Sequence, residues 1–138
     1  MRTASLLAAS IFLASATLAE AQSSIKLDSR GDHLIDEYVA YVGPNDLYNS
    51  SGQRLTKAWQ VIRQDRANFY RFGVRDPGDQ PDSFFASPEN RERMEAMLAN
   101  GRISPAAARA VVEGNVWVRV QIYGRSGIGR SVHVTVQR

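Results

Sequence analysis

The sequence predicts a small single α+β domain, in which three or four helices pack against a C-terminal antiparallel β-hairpin. Apolar residues recur at helical spacing from residue 55 onward, and they alternate with polar ones after residue 116. The 138 residues contain no cysteine, which excludes disulfide-stapled folds and cysteine-based metal centres. The sheet gains an N-terminal strand in one of two alternatives considered below.

The first 21 residues have the pattern of a secretory signal peptide. Met1 and Arg2 form a positive start, an apolar run follows, and Ala19 and Ala21 are the small residues of a cleavage site. The apolar run, residues 6–18, is shorter than the about 20 residues that cross a bilayer. We predict Sec-type export to the periplasm or the medium, with a mature domain of residues 22–138 that has no transmembrane segment.

Residues 34–42 fit either a helix or a strand. Their apolar positions recur at helical spacing after Asp32, a suitable N-cap, yet residues 38–42 also have the composition of a strand. Gly43 and Pro44 end the element in both cases, and residues 45–52 are predicted to form a loop.

The segment Leu55–Tyr70 is predicted to be the longest helix, because its apolar residues form one stripe. Arg66 projects into the middle of that stripe, and Asp65 lies near its edge. A Pro- and Gly-rich loop, residues 73–83, should follow the helix.

Two shorter helices are predicted from their first residues. Ser87-Pro88 and Ser104-Pro105 each place a capping hydroxyl before a proline at the first helical position, and Gly101 and Gly114 end the two helices. In the first of them, Glu89 with Arg93 and Arg91 with Glu95 are spaced as ion pairs on an exposed face.

The C-terminal hairpin follows from two alternating valine sets, residues 116–122 and 132–136. Both sets can face one side only if an odd number of residues, three or five, separates the paired positions. The opposite side then carries aromatic and basic residues: Trp117, Arg119, Tyr123 and His133.

Asp65, Arg66 and Arg71 form the first candidate site. A charge directed at the core must be paired or must reach a ligand, since its desolvation is otherwise prohibitive. Three alternatives follow: a structural ion pair that orients the helix, a position at the domain edge where the Arg66 stem covers the core and its charged end reaches water, or an anion pocket beside Trp59 and Tyr70.

Trp117, Arg119, Tyr123 and His133 form the second candidate site. Aromatic rings interleaved with arginine stack on flat ligands and contact anions. The alternative is an ordinary sheet face on which a helix covers the aromatic rings.

Two further chemistries have weaker support. Asp76, Asp79 and Asp82 recur every third residue, whereas an EF-hand needs ligands at alternate positions, so no metal is predicted. A hydrolase would have to use His33 or His133, and neither lies in a recognisable nucleophile motif.

The function expected from these features is non-enzymatic. A net charge of +3, carried mainly by arginine, favours a binding module that recognises an anionic envelope component. The alternatives are an assembly subunit that docks on a protein partner, or a small extracytoplasmic hydrolase. No cofactor and no nucleic acid is expected, and the oligomeric state stays open.

Overall fold

A computed structural model describes residues 24–137 of the chain. The predicted signal peptide, residues 1–21, lies outside the described residues and stays a prediction. Within the described part, no helix is long and apolar enough to cross a membrane. The elements follow in the order β1 (His33–Val42), a 3-10 helix (Pro44–Leu47), α1 (Ala58–Ala67), a π-helical turn (Asn68–Phe72), α2 (Pro88–Glu92), α3 (Met94–Ala99), α4 (Pro105–Glu113), β2 (Val116–Arg125) and β3 (Ile128–Gln137).

The three strands form one antiparallel sheet in the order β1-β2-β3, which confirms the predicted α+β class. Residues 34–42 belong to a strand, so the helical alternative is wrong. The reason is tertiary: β1 pairs with β2 from Val42↔Val116 to His33↔Gly124. This pairing buries Tyr38, Ala40 and Val42 on one face with the period of two that a strand requires.

The hairpin has the predicted facing of its valines but a different turn. Val120 pairs with Val134 and Ile122 with Val132, so both sets share the buried face. The turn itself holds two residues, Ser126 and Gly127, both with positive φ, as in type I′ turns. The prediction of three or five loop residues is therefore wrong. A register shift next to Tyr123 supplies the odd residue as a β-bulge.

The two serine caps form as predicted. Ser87 Oγ accepts a hydrogen bond from the Asn90 backbone N–H, and Ser104 Oγ accepts one from that of Ala107. The predicted helix between Ser87 and Gly101 is nevertheless divided into α2 and α3 at Arg93, whose ψ is 0°. The Arg93 guanidinium donates to the Gly129 carbonyl at 2.6 Å, which connects this break to the hairpin.

The helices cover one face of the sheet, and the core lies between the two layers. It is formed by apolar side chains from the three strands and from α1, α3 and α4, among them Val120, Val134, Ile62, Met94, Met97 and Val111. Chain segments from the helical layer also pair with both sheet edges. The Gln80 backbone N–H donates to the Val39 carbonyl on β1, and the Val39 N–H donates to the Gln80 side-chain Oε1. Arg102 likewise donates to the Val132 carbonyl and accepts from the Val134 N–H on β3.

Candidate functional site

Arg66 lies inside the domain, with no exposed surface. Its Nε donates to Asp65 Oδ2 at 2.7 Å, and its Nη1 donates to Asp82 Oδ1 at 3.1 Å and to the Gln80 carbonyl at 3.0 Å. The guanidinium also lies 4.0 Å from the centre of the Tyr38 ring. This geometry is that of an internal ion pair, so Asp65 and Arg66 have a structural place rather than a place on a ligand surface.

The interior around Arg66 holds more carboxylates than cations. Burial raises the pKa of Asp65 to about 7, against the opposing effect of the Arg66 charge. Burial likewise raises the pKa of Asp46 to about 6, although Asn68 donates to its Oδ1 at 2.8 Å. Both carboxyl groups therefore take up protons near neutral pH.

Arg71, the third member of the first candidate set, lies on the surface instead. The π-helical turn carries it into a groove of about 520 Å³ between α1 and α2. We call this groove the positive groove, because Arg63, Arg71 and Arg91 line it together with a single carboxylate, that of Glu92. Tyr70 and Gln64 contribute further polar groups to its walls.

Arg91 is the most unusual residue of the positive groove. Its side chain is only 7% exposed, and its Nη1 donates to the carbonyl oxygens of Phe85 at 2.7 Å and Ala86 at 3.1 Å. No carboxylate among residues 24–137 comes within 4.0 Å of its guanidinium nitrogens. A buried cation is normally paired with a carboxylate, so Arg91 departs from the usual pattern.

The predicted ion pair of Arg91 with Glu95 is wrong. Such a pair needs one continuous helix, and α2 ends at Glu92 before α3 begins at Met94. Arg91 turns inward against the segment that precedes α2, a placement that helical spacing alone does not reveal. Sequence reasoning therefore missed the residue that distinguishes the groove.

The other two arginines of the groove are more accessible. Arg63 lies over the Trp59 ring at 5.1 Å and has Glu92 Oε2 at 3.7 Å. Arg71 lies over the Phe72 ring at 5.1 Å and has no carboxylate within 4.0 Å in the described chain. Three guanidinium groups thus face the same space with one carboxylate to offset them.

The second candidate set lies together on the outer face of the sheet, as the alternation predicts. Gln121 and His133 of that face line a groove of about 800 Å³ together with Ala106, Ala107 and Ala110 of α4. Arg119 Nη1 donates to Glu37 Oε1 at 2.8 Å, and Gln121 Nε2 donates to Glu37 Oε2 at 2.6 Å. The charge of Arg119 is therefore already offset within the protein.

The aromatic residues of the outer face form two pairs. Tyr123 stacks on His133 with ring centres 4.5 Å apart, and Trp117 packs on Tyr41 at 5.3 Å. Burial, aided by the nearby Arg102 charge, lowers the pKa of His133. Arg119 on this face is paired with a carboxylate, in contrast to Arg71 and Arg91 of the positive groove.

The loop aspartates and the two histidines, the candidates for metal binding and hydrolysis, have other contacts in the structure. Asp79 Oδ1 accepts from the Tyr41 backbone N–H at 2.8 Å, and Asp82 binds Arg66, so these loop carboxylates hold the fold. Across residues 24–137, no group of three His, Cys, Asp or Glu side chains is placed to hold a metal ion. No hydrogen bond joins His33 or His133 to a serine hydroxyl or a carboxylate in that same range.

Comparisons with protein-family models, with curated proteins and with solved structures return no match. The positive groove is therefore interpreted from its own geometry.

Proposed function

We propose that this protein is an exported, non-enzymatic binding module whose positive groove recognises an anionic component of the cell envelope. The observation that carries the proposal is Arg91, a nearly buried guanidinium without a carboxylate partner in the described chain. Export rests on the predicted signal peptide at residues 1–21.

The chemistry of the groove favours a carboxylate or phosphate group. A guanidinium presents several donors in a planar fork, which matches the two oxygens of such a group better than an ammonium does. Arg91 is held from behind by two carbonyl oxygens, so its remaining N–H groups are oriented before a ligand arrives. This preorganisation lowers the entropic cost of binding.

The outer sheet face is a weaker candidate for anion binding than the positive groove. Arg119 there is already bonded to Glu37 at 2.8 Å, and a ligand would have to compete with that carboxylate. In the positive groove, Glu92 is the single competing carboxylate, and its 3.7 Å distance from Arg63 is that of a loose surface pair.

The proposal is tested by thermal unfolding of the purified protein with and without polyphosphate, at low salt and at about 0.15 M salt, where the Debye length is about 8 Å. A ligand at 100 times its Kd adds about 2.7 kcal/mol of stability, which gives a clear midpoint shift. We expect the shift to persist in part at the higher salt, because the Arg91 site is shielded from solvent.

Matched variants assign the effect to the groove. Arg71→Gln and Arg63→Gln should reduce the shift, whereas Arg109→Gln, which removes an exposed arginine on α4 outside the groove, should leave it unchanged. An equal loss in all three variants would mean non-specific charge attraction, and no shift at low salt would end the anion-binding proposal.

A further inference from the structure

A second groove, of about 610 Å³, adjoins the positive groove. The two share Ser50, Gln64 and Phe72 in their walls, so they lie side by side. We call the second one the apolar groove, because Pro44, Tyr48, Phe72 and Val74 line it and it contains no charged side chain. Its other five lining residues are uncharged and polar.

The apolar groove concentrates hydrophobic surface that the fold does not bury. Phe72 is 48% exposed, Tyr48 is 44% exposed and Val74 is 41% exposed. These are three of the six large hydrophobic side chains that are exposed among residues 24–137. Single exposed hydrophobic residues are ordinary, but a cluster in a concave site marks a binding surface.

The boundary between the grooves is built by the π-helical turn Asn68–Phe72. This turn places Arg71 in the positive groove and Phe72 in both, with the Arg71 guanidinium 5.1 Å from the Phe72 ring. π-Helical turns are rare, and they occur frequently at functional sites.

From this juxtaposition we infer that the ligand is an anionic amphiphile. Its phosphate or carboxylate group lies among Arg63, Arg71 and Arg91, and its apolar chain lies against Phe72, Tyr48 and Val74. The inference rests on the proposed function and deepens it by naming the class of ligand. Each groove has the volume of a typical small-molecule site, so one monomeric ligand fits across both.

The test compares inorganic phosphate, butyl phosphate and octyl phosphate by isothermal titration calorimetry, with the alkyl phosphates kept below micelle-forming concentrations. Burial of each methylene group is favourable, so we expect octyl phosphate to bind at least about tenfold more tightly than butyl phosphate. Octyl glucoside, which has the chain without the negative charge, should bind at least about tenfold more weakly than octyl phosphate.

Variants separate the two halves of the site. Tyr48→Ser and Val74→Ser, at residues that line the apolar groove and not the positive groove, should reduce the dependence on chain length and keep phosphate binding. Arg71→Gln should weaken all three phosphates by the same factor. Ile128→Ser, which removes an exposed hydrophobic side chain at the hairpin turn, is the matched control and should change nothing.

The outcomes distinguish this inference from the proposed function. If all three phosphates bind equally and remain sensitive to Arg71→Gln, the inference of an amphiphilic ligand is wrong and the proposed anion site is supported. If none binds and polyphosphate has no effect, both are wrong. Sedimentation with 3:1 phosphatidylcholine/phosphatidylglycerol vesicles without binding of monomeric octyl phosphate would assign the surface to a membrane and overturn the inference.

Discussion

The guanidinium of Arg66 lies 4.0 Å from the centre of the Tyr38 ring, where the longest helix crosses the buried face of the sheet. Both side chains are completely buried. The Tyr38 ring faces the guanidinium, and the carboxylates of Asp65 and Asp82 accept hydrogen bonds from its Nε and Nη1. These contacts stabilise a charged group at the centre of this small domain, although Arg66 Nη2 has no hydrogen-bond partner among residues 24–137.

Arg66→Met should lower the free energy of unfolding by about 3–5 kcal/mol, because it leaves Asp65 and Asp82 buried without their cation. The measurement is urea denaturation followed by circular dichroism. Arg109→Met, an exposed position on α4, is the control and should change stability by less than about 0.5 kcal/mol. A loss for Arg66→Met as small as that of the control would contradict a structural role for the pair.

Stability should fall as the pH rises from about 4 to about 7. Asp46 and Asp65 ionise at about 6 and about 7 in the folded protein, above their ordinary value of 3.8. Between these values the folded state binds more protons than the unfolded state, so raising the pH favours unfolding. We expect the protein to be roughly 2 kcal/mol more stable at pH 5 than at pH 7.5.

The measurement is urea denaturation at the two pH values, and Asp65→Asn should flatten the difference because Asn does not ionise. His133 acts in the opposite direction, since a pKa below its ordinary 6.5 favours the unfolded state in acid. His133→Gln removes that contribution and should enlarge the difference. If the His133→Gln variant were as stable at pH 7.5 as at pH 5, or more stable, the raised pKa values of Asp46 and Asp65 would be refuted.

The His133 ring should titrate below pH 6.5, because burial and the Arg102 charge both disfavour its protonated form. The titration is followed through the ring proton signals by NMR, which His133→Gln assigns by removing them. Arg102→Gln should raise the midpoint, since one nearby positive charge is lost. A midpoint at or above 6.5 in the unsubstituted protein would show that the ring is not enclosed as the structure has it.

Gly101→Ala should destabilise the domain by about 1–3 kcal/mol. A Cβ at this position would lie 1.8 Å from the Val132 carbonyl oxygen, so the segment that carries Arg102 would have to leave the edge of β3. Differential scanning calorimetry gives the midpoint. Gly127→Asn in the hairpin turn is the comparison, because open space surrounds it and Asn tolerates positive φ. If the Gly101→Ala protein were as stable as the Gly127→Asn protein, Gly101 would not lie as close to the Val132 carbonyl as the structure has it.

Several elements depend on neighbours in the sequence alone, and these were predictable. The serines at 87 and 104 cap the helices that begin one residue later, since the hydroxyl and the N–H it accepts from are only three residues apart. The alternation of β2 and β3 likewise assigned Trp117, Arg119, Tyr123 and His133 to one face, because side chains of a strand alternate whatever surrounds it.

Other features needed the tertiary structure, for a physical reason that applies to each of them. Residues 34–42 form a strand because β2 offers them a hydrogen-bonding edge, and helical spacing within the segment cannot report that partner. Arg91 turns inward and donates to the carbonyl oxygens of Phe85 and Ala86, and the groove beside it joins residues from α1, the π-helical turn and α2. By itself the sequence determined the fold class, the helix caps and the faces of the hairpin. Only the tertiary structure decided which arginines are paired and which remain available, because pairing depends on distances between residues far apart in the chain.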